Sequence, residues 1–487
     1  MDPNARKRHV TGFQLFAYVL PAVPLAALGL PIVVHLPPFY ASHEIGMSIG
    51  MVGLVFSLAR MWDVILDPVM GYWSDRWRTR LGRRKPLIIL GTPILILGIW
   101  MAFVPGGPIS PFYASFWLFI MYIGWSMTTI PQLSWGSELS TNYHERSRIY
   151  GWAQVATILG MVTVLAIPAV MEHMGTTLST RLLAMALFAI VLLVPSVALA
   201  VGVVPEPEVK LKTHAGLIPT LKFLFKDRAL RRVLTVDLLA STNAGAVGAM
   251  FFFFAQYALG LKSWAGTMLL VYFVSGCICV PLWMALSRRI GKHKTLVVTF
   301  LYTVVASSLQ LLIPAGNVSA AVLVYALNGA TYGAAVFLLR SMMADVADAD
   351  AAENDTERAG LMYSFLALTN KFGLGWSVGI AYAILAWIGF SATGTNTPAS
   401  IEGMRLFYVG LSVGFGLVNA ALIYGYPLDE ARQQRLRDVI ERRRAGHHTA
   451  DDMLPPGLMP GSAALASDSE AITDVGTDSE TAKGNAT

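Results

Sequence analysis

Charge is scarce in this sequence. Asp, Glu, Lys and Arg make up 14% of its 487 residues, against about 25% in ordinary globular chains. Hydrophobic residues reach 55% before the 43 glycines are counted. No soluble interior holds that share, which excludes the series of soluble domains of roughly 150 residues that the length alone would imply. Cysteine is nearly absent. Cys277 and Cys279 stand in one apolar run; they cannot build a disulfide framework or a zinc site and read as small, buried apolar residues. What is present is apolar sequence in runs of about twenty residues, with a mean hydropathy of +0.56. The expected class is an all-α membrane protein, because only helices and closed barrels satisfy their backbone inside a bilayer. The net charge of +6 then belongs to loops and not to a nucleic-acid surface.

Apolar runs and their polar breaks predict twelve spans, near 13–36, 46–72, 86–105, 111–137, 149–171, 182–203, 233–259, 264–286, 295–314, 318–344, 359–390 and 404–426. The first run is too long for a cleaved signal peptide. An even count puts both termini on one side, and the basic residues say which. The N-terminus, the loops after spans two, four, six, eight and ten, and the tail hold 31 of the 36 Lys and Arg, with Arg340 and Arg358 both assigned to the loop after span ten. The alternate loops hold only Arg181, Lys262 and Arg405, so both termini are expected in the cytoplasm, in an inner membrane.

The run Arg80-Leu81-Gly82-Arg83-Arg84-Lys85 returns as Arg289-Ile290-Gly291-Lys292-His293-Lys294. This repeat implies two homologous units, 1–204 and 233–427, joined by a basic cytoplasmic linker, 205–232. The remaining tail, 428–487, carries a charged surface helix over 429–444 and then a polar segment that is expected to be disordered.

Arg60, Asp63 and Asp67 fall inside the second span. Each would cost about 2.5–3.5 kcal/mol at a helix centre if unpaired, and steps of three and four put them on one helical face. Such a stripe reads as a cation-binding or protonatable site facing an aqueous cavity; a purely structural ion-paired lock is the alternative. Lys371, beside Asn370 in the eleventh span, balances the set, unless it snorkels to the surface. Asp237, near the start of span seven, fits an interfacial position. Pro21, Pro24, Pro31, Pro131 and Pro281 interrupt spans, as proline in membrane helices does where neighbours satisfy the backbone.

The pattern Arg60-x-x-Asp63-x-x-x-Asp67-Pro68-x-x-Gly71-x-x-x-Asp75-Arg76-x-x-Thr79-Arg80-x-Gly82-Arg83-Arg84-Lys85-Pro86 resembles the signature of the glycoside–pentoside–hexuronide:cation symporters of the major facilitator superfamily. Ile130-Pro131 with Trp135, Glu145-Arg146, Ala344-Asp345 and Glu357-Arg358 extend the match across residues 13 to about 426. The resemblance implies twelve helices in two six-helix bundles around a central cavity, with alternating access. It makes Asp63 and Asp67 the cation carboxylates, Ser126 their hydroxyl neighbour and Lys371 a residue close by. Asp75, Arg76, Arg80 and Arg84, with Arg289 and Lys292 as their echo, are expected to form a cytoplasmic gate.

Three departures bear on substrate. Thr129 stands where sugar-transporting members have an aspartate, Gln154 where they have an arginine in the fifth span, and Ala26 near the place of a first-span aspartate. The expected substrate cavity is therefore more neutral and partly aromatic, built from Trp125, Thr129, Gln132, Trp135, Gln154, Asn243 and Asn370.

The expected activity is symport of a small organic solute, a glycoside or an amphipathic molecule, with a cation. The protein is expected to work as a monomer in the bilayer, without a cofactor, a resident metal or a nucleic-acid partner. An uncoupled facilitator or exporter is the alternative within that class. An intramembrane aspartyl protease is the rival outside it, but such enzymes set their aspartates on separate helices, whereas Asp63 and Asp67 share one. Sodium-using relatives have an asparagine before the second aspartate, where this chain has Leu66, so the proton is the expected coupling cation.

Overall fold

The second expected span is built inside out. Leu54, Leu58, Met61, Ile65 and Val69 repeat at helical spacing and lie 50–64% exposed, while Asp63 and Asp67, on another face of the same helix, are 1% and 0% exposed. In water this arrangement would lose the hydrophobic contribution of five large side chains; in lipid it is the stable orientation. The computed structural model describes residues 10–41, 45–106, 109–140, 142–206, 227–354, 358–390 and 396–428. Most of the expected linker and nearly all of the expected tail, with its surface helix, lie outside the described residues.

The first expected span is broken at its prolines. Helices α1 (Gly12–Val19) and α2 (Ala22–Leu30) meet at Pro21, and a π turn, Pro31–His35, leads into α3 (Leu36–Tyr40). Then follow α4 (Ile49–Arg76), α5 (Lys85–Phe103), α6 (Pro111–Glu138), α7 (Tyr143–His173) and α8 (Leu178–Val203). The second half contains α9 (Arg228–Phe253), α10 (Ala265–Ile290), α11 (Lys292–Ser308), α12 (Val318–Gly329), α13 (Ala334–Asn354), α14 (Ala359–Trp387) and α15 (Pro398–Ile423).

Side-chain caps start many of these helices: Ser48, Ser110, Thr177, Asp227, Asn317 and Thr397 each accept a backbone N–H from the first turn. Such caps satisfy donors that a helix leaves unpaired at its N-terminus. Pro131 and Pro281 sit within α6 and α10 without ending them. Cys277 and Cys279 are unpaired and partly exposed on α10, so the expectation that they are buried is corrected.

Nine described helical stretches are long and apolar enough to cross a membrane. The expected second, fourth and eleventh spans are helices of 28, 28 and 29 residues that do not meet that measure. In α4 the reason is plain, since its three central charges dilute the apolar run.

The apolar interior is divided. One core draws only on residues between Val10 and Val204, and another only on residues between Ala246 and Val409. A third joins Tyr150, Val155 and Ile158 of α7 to side chains from Ala229 to Leu428. The two halves meet where α4 packs on α14 and where α7 packs on α10 and α13. At the α4–α14 crossing a Cβ on Gly71 would stand 2.6 Å from the Gly360 carbonyl oxygen, so glycine permits this approach.

The repeated basic turns begin α5 and α11 on the side where Pro205 and Glu206 lie, here termed the linker face. Gly82 has φ +110° and Gly291 φ +87°, a region that side chains rarely enter. The Glu206 carboxylate accepts from the N–H groups of Arg83, Arg84 and Lys85 at 2.6, 2.7 and 3.2 Å, which is where a helix N-terminus favours an anion. A Cβ on Gly82 would fall 2.2 Å from Glu206 Oε2. Gly82→Ala is therefore expected to cost about 1–3 kcal/mol through the positive φ alone, and to lower the melting temperature of the detergent-purified protein. Gly53→Ala, with nothing within 4 Å of the new methyl group, should leave it unchanged. Equal melting of the two variants would show that neither the positive φ at Gly82 nor the close approach of Glu206 constrains this turn.

Candidate functional site

Asp63 and Asp67 leave α4 one turn apart and face α6 and α14. Ser126 Oγ, from α6, donates to Asp67 Oδ1 at 2.7 Å. Lys371 Nζ, from α14, stands 2.6 Å from Asp63 Oδ1 and 2.7 Å from Asp67 Oδ2, so one ammonium joins two carboxylates across the halves. Arg60 is peripheral: it lies 3.7 Å from Asp63 Oδ2 and its side chain is 42% exposed. Taking one partner from a buried pair of this kind costs about 3–5 kcal/mol, because the remaining charge stays uncompensated. Among the described residues no group of three or more His, Cys, Asp or Glu could hold a metal ion.

Each of the expected substrate residues has its own contacts. Trp125 is partly buried on α6, and its carbonyl accepts from the hydroxyls of Thr128 and Thr129, each at 2.8 Å. The Thr129 proton is thus held by its own helix. Gln132 donates from Nε2 to the Tyr18 carbonyl at 3.2 Å, and Trp135, 1% exposed, donates from Nε1 to the Pro205 carbonyl at 3.1 Å. With Tyr18 and Thr128 these two line a small cavity inside the first half. Asn243 accepts from Ser412 of α15 at 3.4 Å, and Asn370 donates to Ser241 at 2.8 Å, so both tie helices together within the second half.

Gln154 alone of the set faces a charge across the halves. Its Oε1 lies 3.5 Å from a guanidinium nitrogen of Arg340. Two expectations are corrected here. Arg340 is not in a loop after span ten but six residues inside α13, and the region around Gln154 is not neutral. Asp237 is buried, 6% exposed within α9, and Thr369 Oγ1 donates to its Oδ2 at 2.7 Å. The signal for Arg340 was its position inside the apolar run 318–344, where an arginine demands an explanation.

On the linker face, Asp75 accepts from the N–H groups of Gly360 and Leu361, at 2.9 and 3.0 Å, at the start of α14. Arg84, 0% exposed, meets Asp75 at 2.7 Å, Glu138 at 2.6 Å and the Ser74 hydroxyl at 2.6 Å. Lys292 pairs with Asp345 at 2.6 Å and stands over the Tyr143 ring, 3.8 Å from its centroid. Arg146 joins α7 to α13 through Asp348 at 2.6 Å and Asp345 at 3.4 Å. Deeper in, the hydroxyls of Tyr150 and Tyr363 meet at 2.6 Å.

The other expected gate residues lie at the surface. Arg76 is exposed and lies over the Tyr72 ring, and Arg80 and Arg289 are exposed and make no ion pair among the described residues. Long basic side chains at a membrane edge reach water more cheaply than they pair. Glu138, Glu206 and Asp348 were not anticipated, because an acidic residue at a helix end looks like ordinary solvated surface until its partners are placed.

Residues 17–430 match the MFS/sugar transport protein family. Among curated relatives, the chain is 24% identical to the sodium-dependent lysophosphatidylcholine symporter 1 of Gallus gallus, covering 86% of this chain and 85% of the relative. It is 24% identical to the isoprimeverose transporter of Lactiplantibacillus pentosus, over 85% and 88% of the two chains. It is 22% identical to the glucuronide carrier protein homolog of Escherichia coli strain K12, over 83% and 90%.

Two solved structures share the fold. A bacterial homologue of the iron transporter ferroportin in an outward-facing state aligns with TM-score 0.64 at 15% identity, covering 86% of this chain and 99% of that one. The E. coli fucose:proton symporter aligns with TM-score 0.60 at 12% identity, covering 84% and 98%. With the family match over most of the chain, the protein belongs to the MFS/sugar transport protein family, in the glycoside–pentoside–hexuronide:cation symporter group, and is a multi-pass membrane transporter and not an enzyme.

Proposed function

We propose that the protein is a proton-coupled symporter of the inner membrane that carries a small organic solute, a glycoside or an amphipathic molecule, by alternating access. The observation that carries this reading is Lys371 Nζ held by Asp63 and Asp67 across the two halves. The units that move are 1–204 and 233–427, twelve spans in all, with both termini in the cytoplasm. The linker face is then the cytoplasmic face, and its Asp75, Arg84, Arg146 and Lys292 contacts hold it shut. A cation bound at the carboxylates competes with the ammonium and loosens the joint between α4 and α14, which lets one half rock against the other. The relatives named for isoprimeverose, glucuronide and lysophosphatidylcholine support a solute of this size and kind.

The coupling cation follows from the ligands at hand. Sodium requires several oxygens, and here the side-chain oxygens come from Asp63, Asp67 and Ser126, while Leu66 between the two carboxylates contributes none. A proton needs one carboxylate. A transported solute added to de-energised vesicles should therefore alkalinise the medium with or without sodium, and Asp67→Asn should abolish concentrative uptake while leaving solute exchange. Uptake that requires sodium and moves no protons would sink the proton assignment, and uptake down the solute gradient with no cation movement would show a facilitator.

The gate gives an independent check. Asp75→Asn removes the charge that accepts two N–H groups of α14 and pairs with Arg84, a bias of about 1–3 kcal/mol between states. Cysteines placed in the cavity should become more reactive from the cytoplasm and less reactive from outside. Unchanged labelling from both sides would show that these contacts do not close the gate.

A further inference from the structure

Three arginines sit where the halves meet, and two of them are saturated. Arg84 gives its donors to Asp75, Glu138 and Ser74, and Arg146 gives its donors to Asp345, Asp348 and the carbonyls of Ser137 and Ser140. Arg340 differs. A guanidinium has five N–H donors, and among the described residues the side chain of Arg340 makes one hydrogen bond, at 3.5 Å to Gln154 Oε1. No carboxylate among the described residues lies within ion-pair distance of it; Asp237, the acidic group that acts on it from farther away, is engaged by Thr369. The side chain is only partly exposed, and its remaining donors take no hydrogen bond among the described residues, within a stretch apolar enough to span the membrane.

The surroundings come from both halves. Gln154 of the first half meets Arg340 directly, and the electrostatic influence on the guanidinium comes from Tyr18 and Tyr150 of the first half and from Tyr363 and Asp237 of the second. Tyr363 also fixes the backbone beneath the guanidinium by donating to the Arg340 carbonyl at 2.7 Å. An arginine in a bilayer without a partner carries a large desolvation cost, which an oxyanion offsets well, because carboxylate and phosphate match the planar guanidinium with two parallel hydrogen bonds.

We propose that Arg340, with Gln154 beside it, binds an anionic group, a carboxylate or a phosphate, on the transported solute. This assignment rests on the transport reading and narrows it: the solute carries an oxyanion on an organic body, and the first contact of that oxyanion is on α13. The site spans both halves, so the bound anion also contributes attraction between them. The carboxylates at Lys371 serve the cation and Arg340 serves the solute.

The test uses the full-length protein in detergent, without any gradient, and reads thermal shifts with matched probes. The carboxylate arm compares methyl β-D-glucuronide with methyl β-D-glucoside, and the phosphate arm compares a lysophosphatidate with the corresponding monoacylglycerol. In at least one arm the anionic member should raise the melting temperature more than its neutral partner, and the arm that responds identifies the source of the oxyanion. Arg340→Gln should weaken that binding by about tenfold or more, the scale of a charge-assisted pair, without changing the response to the neutral member. Arg340→Lys, which keeps the charge, should retain the preference in part.

Equal response to anionic and neutral members, no response to either anion, or an undiminished preference in Arg340→Gln would each overturn the assignment. Binding in detergent does not depend on coupling, so failure here is distinguishable from failure of the proton-symport reading, which is decided in vesicles.

Discussion

A single ammonium shared by two carboxylates is the constraint around which the rest of the membrane domain is arranged. Asp63 and Asp67 cannot face lipid, and Lys371 cannot either, so α4 and α14 must turn these faces toward each other. Once α4 is oriented that way, Leu54, Leu58, Met61, Ile65 and Val69 point outward, where lipid receives them. The glycine pair at Gly71 and Gly360 allows the two helices to close further down, and that approach brings Asp75 onto the first N–H groups of α14. The Asp75 contacts and the ion bridge therefore lie on the same helix pair.

The linker face shows how buried charge is tolerated when every donor is placed. Arg84 and Arg146 are enclosed, yet each meets carboxylates and neutral acceptors in good geometry. Networks of this kind favour one arrangement over its competitors, because a half-made network leaves a buried charge unpaired. Arg340 is the exception to that saturation.

Much of this was legible in the residues. Hydropathy and the asymmetry of Lys and Arg marked the apolar segments, and the spacing of Arg60, Asp63 and Asp67 marked the charged face of α4. Lys371 could be assigned to them by charge balance alone. The partners of polar side chains were not legible, because each depends on which acceptor is nearest in space. Thr129 spends its proton on the Trp125 carbonyl, and Asn243 and Asn370 bind neighbours in their own half, although all three have the composition of a substrate pocket. Arg340 is hard to place for another reason: a basic residue near the end of an apolar run resembles a loop residue, and only the continuation of α13 to Asn354 sets it inside a helix.

The central claim is that the Lys371 bridge holds the two halves in the arrangement closed at the linker face. Arg80 and Arg289 are exposed on that face, one on each half, and make suitable label positions. Spin labels at Arg80→Cys and Arg289→Cys, in a background carrying Cys277→Ala and Cys279→Ala, report the distance across the gate by pulsed electron resonance. With Lys371 intact and no solute present, a single short-distance population is expected. Lys371→Met, which releases the carboxylates from the ammonium, should add a second population at longer distance. A distribution that is the same with Lys371 and with Lys371→Met would contradict the account.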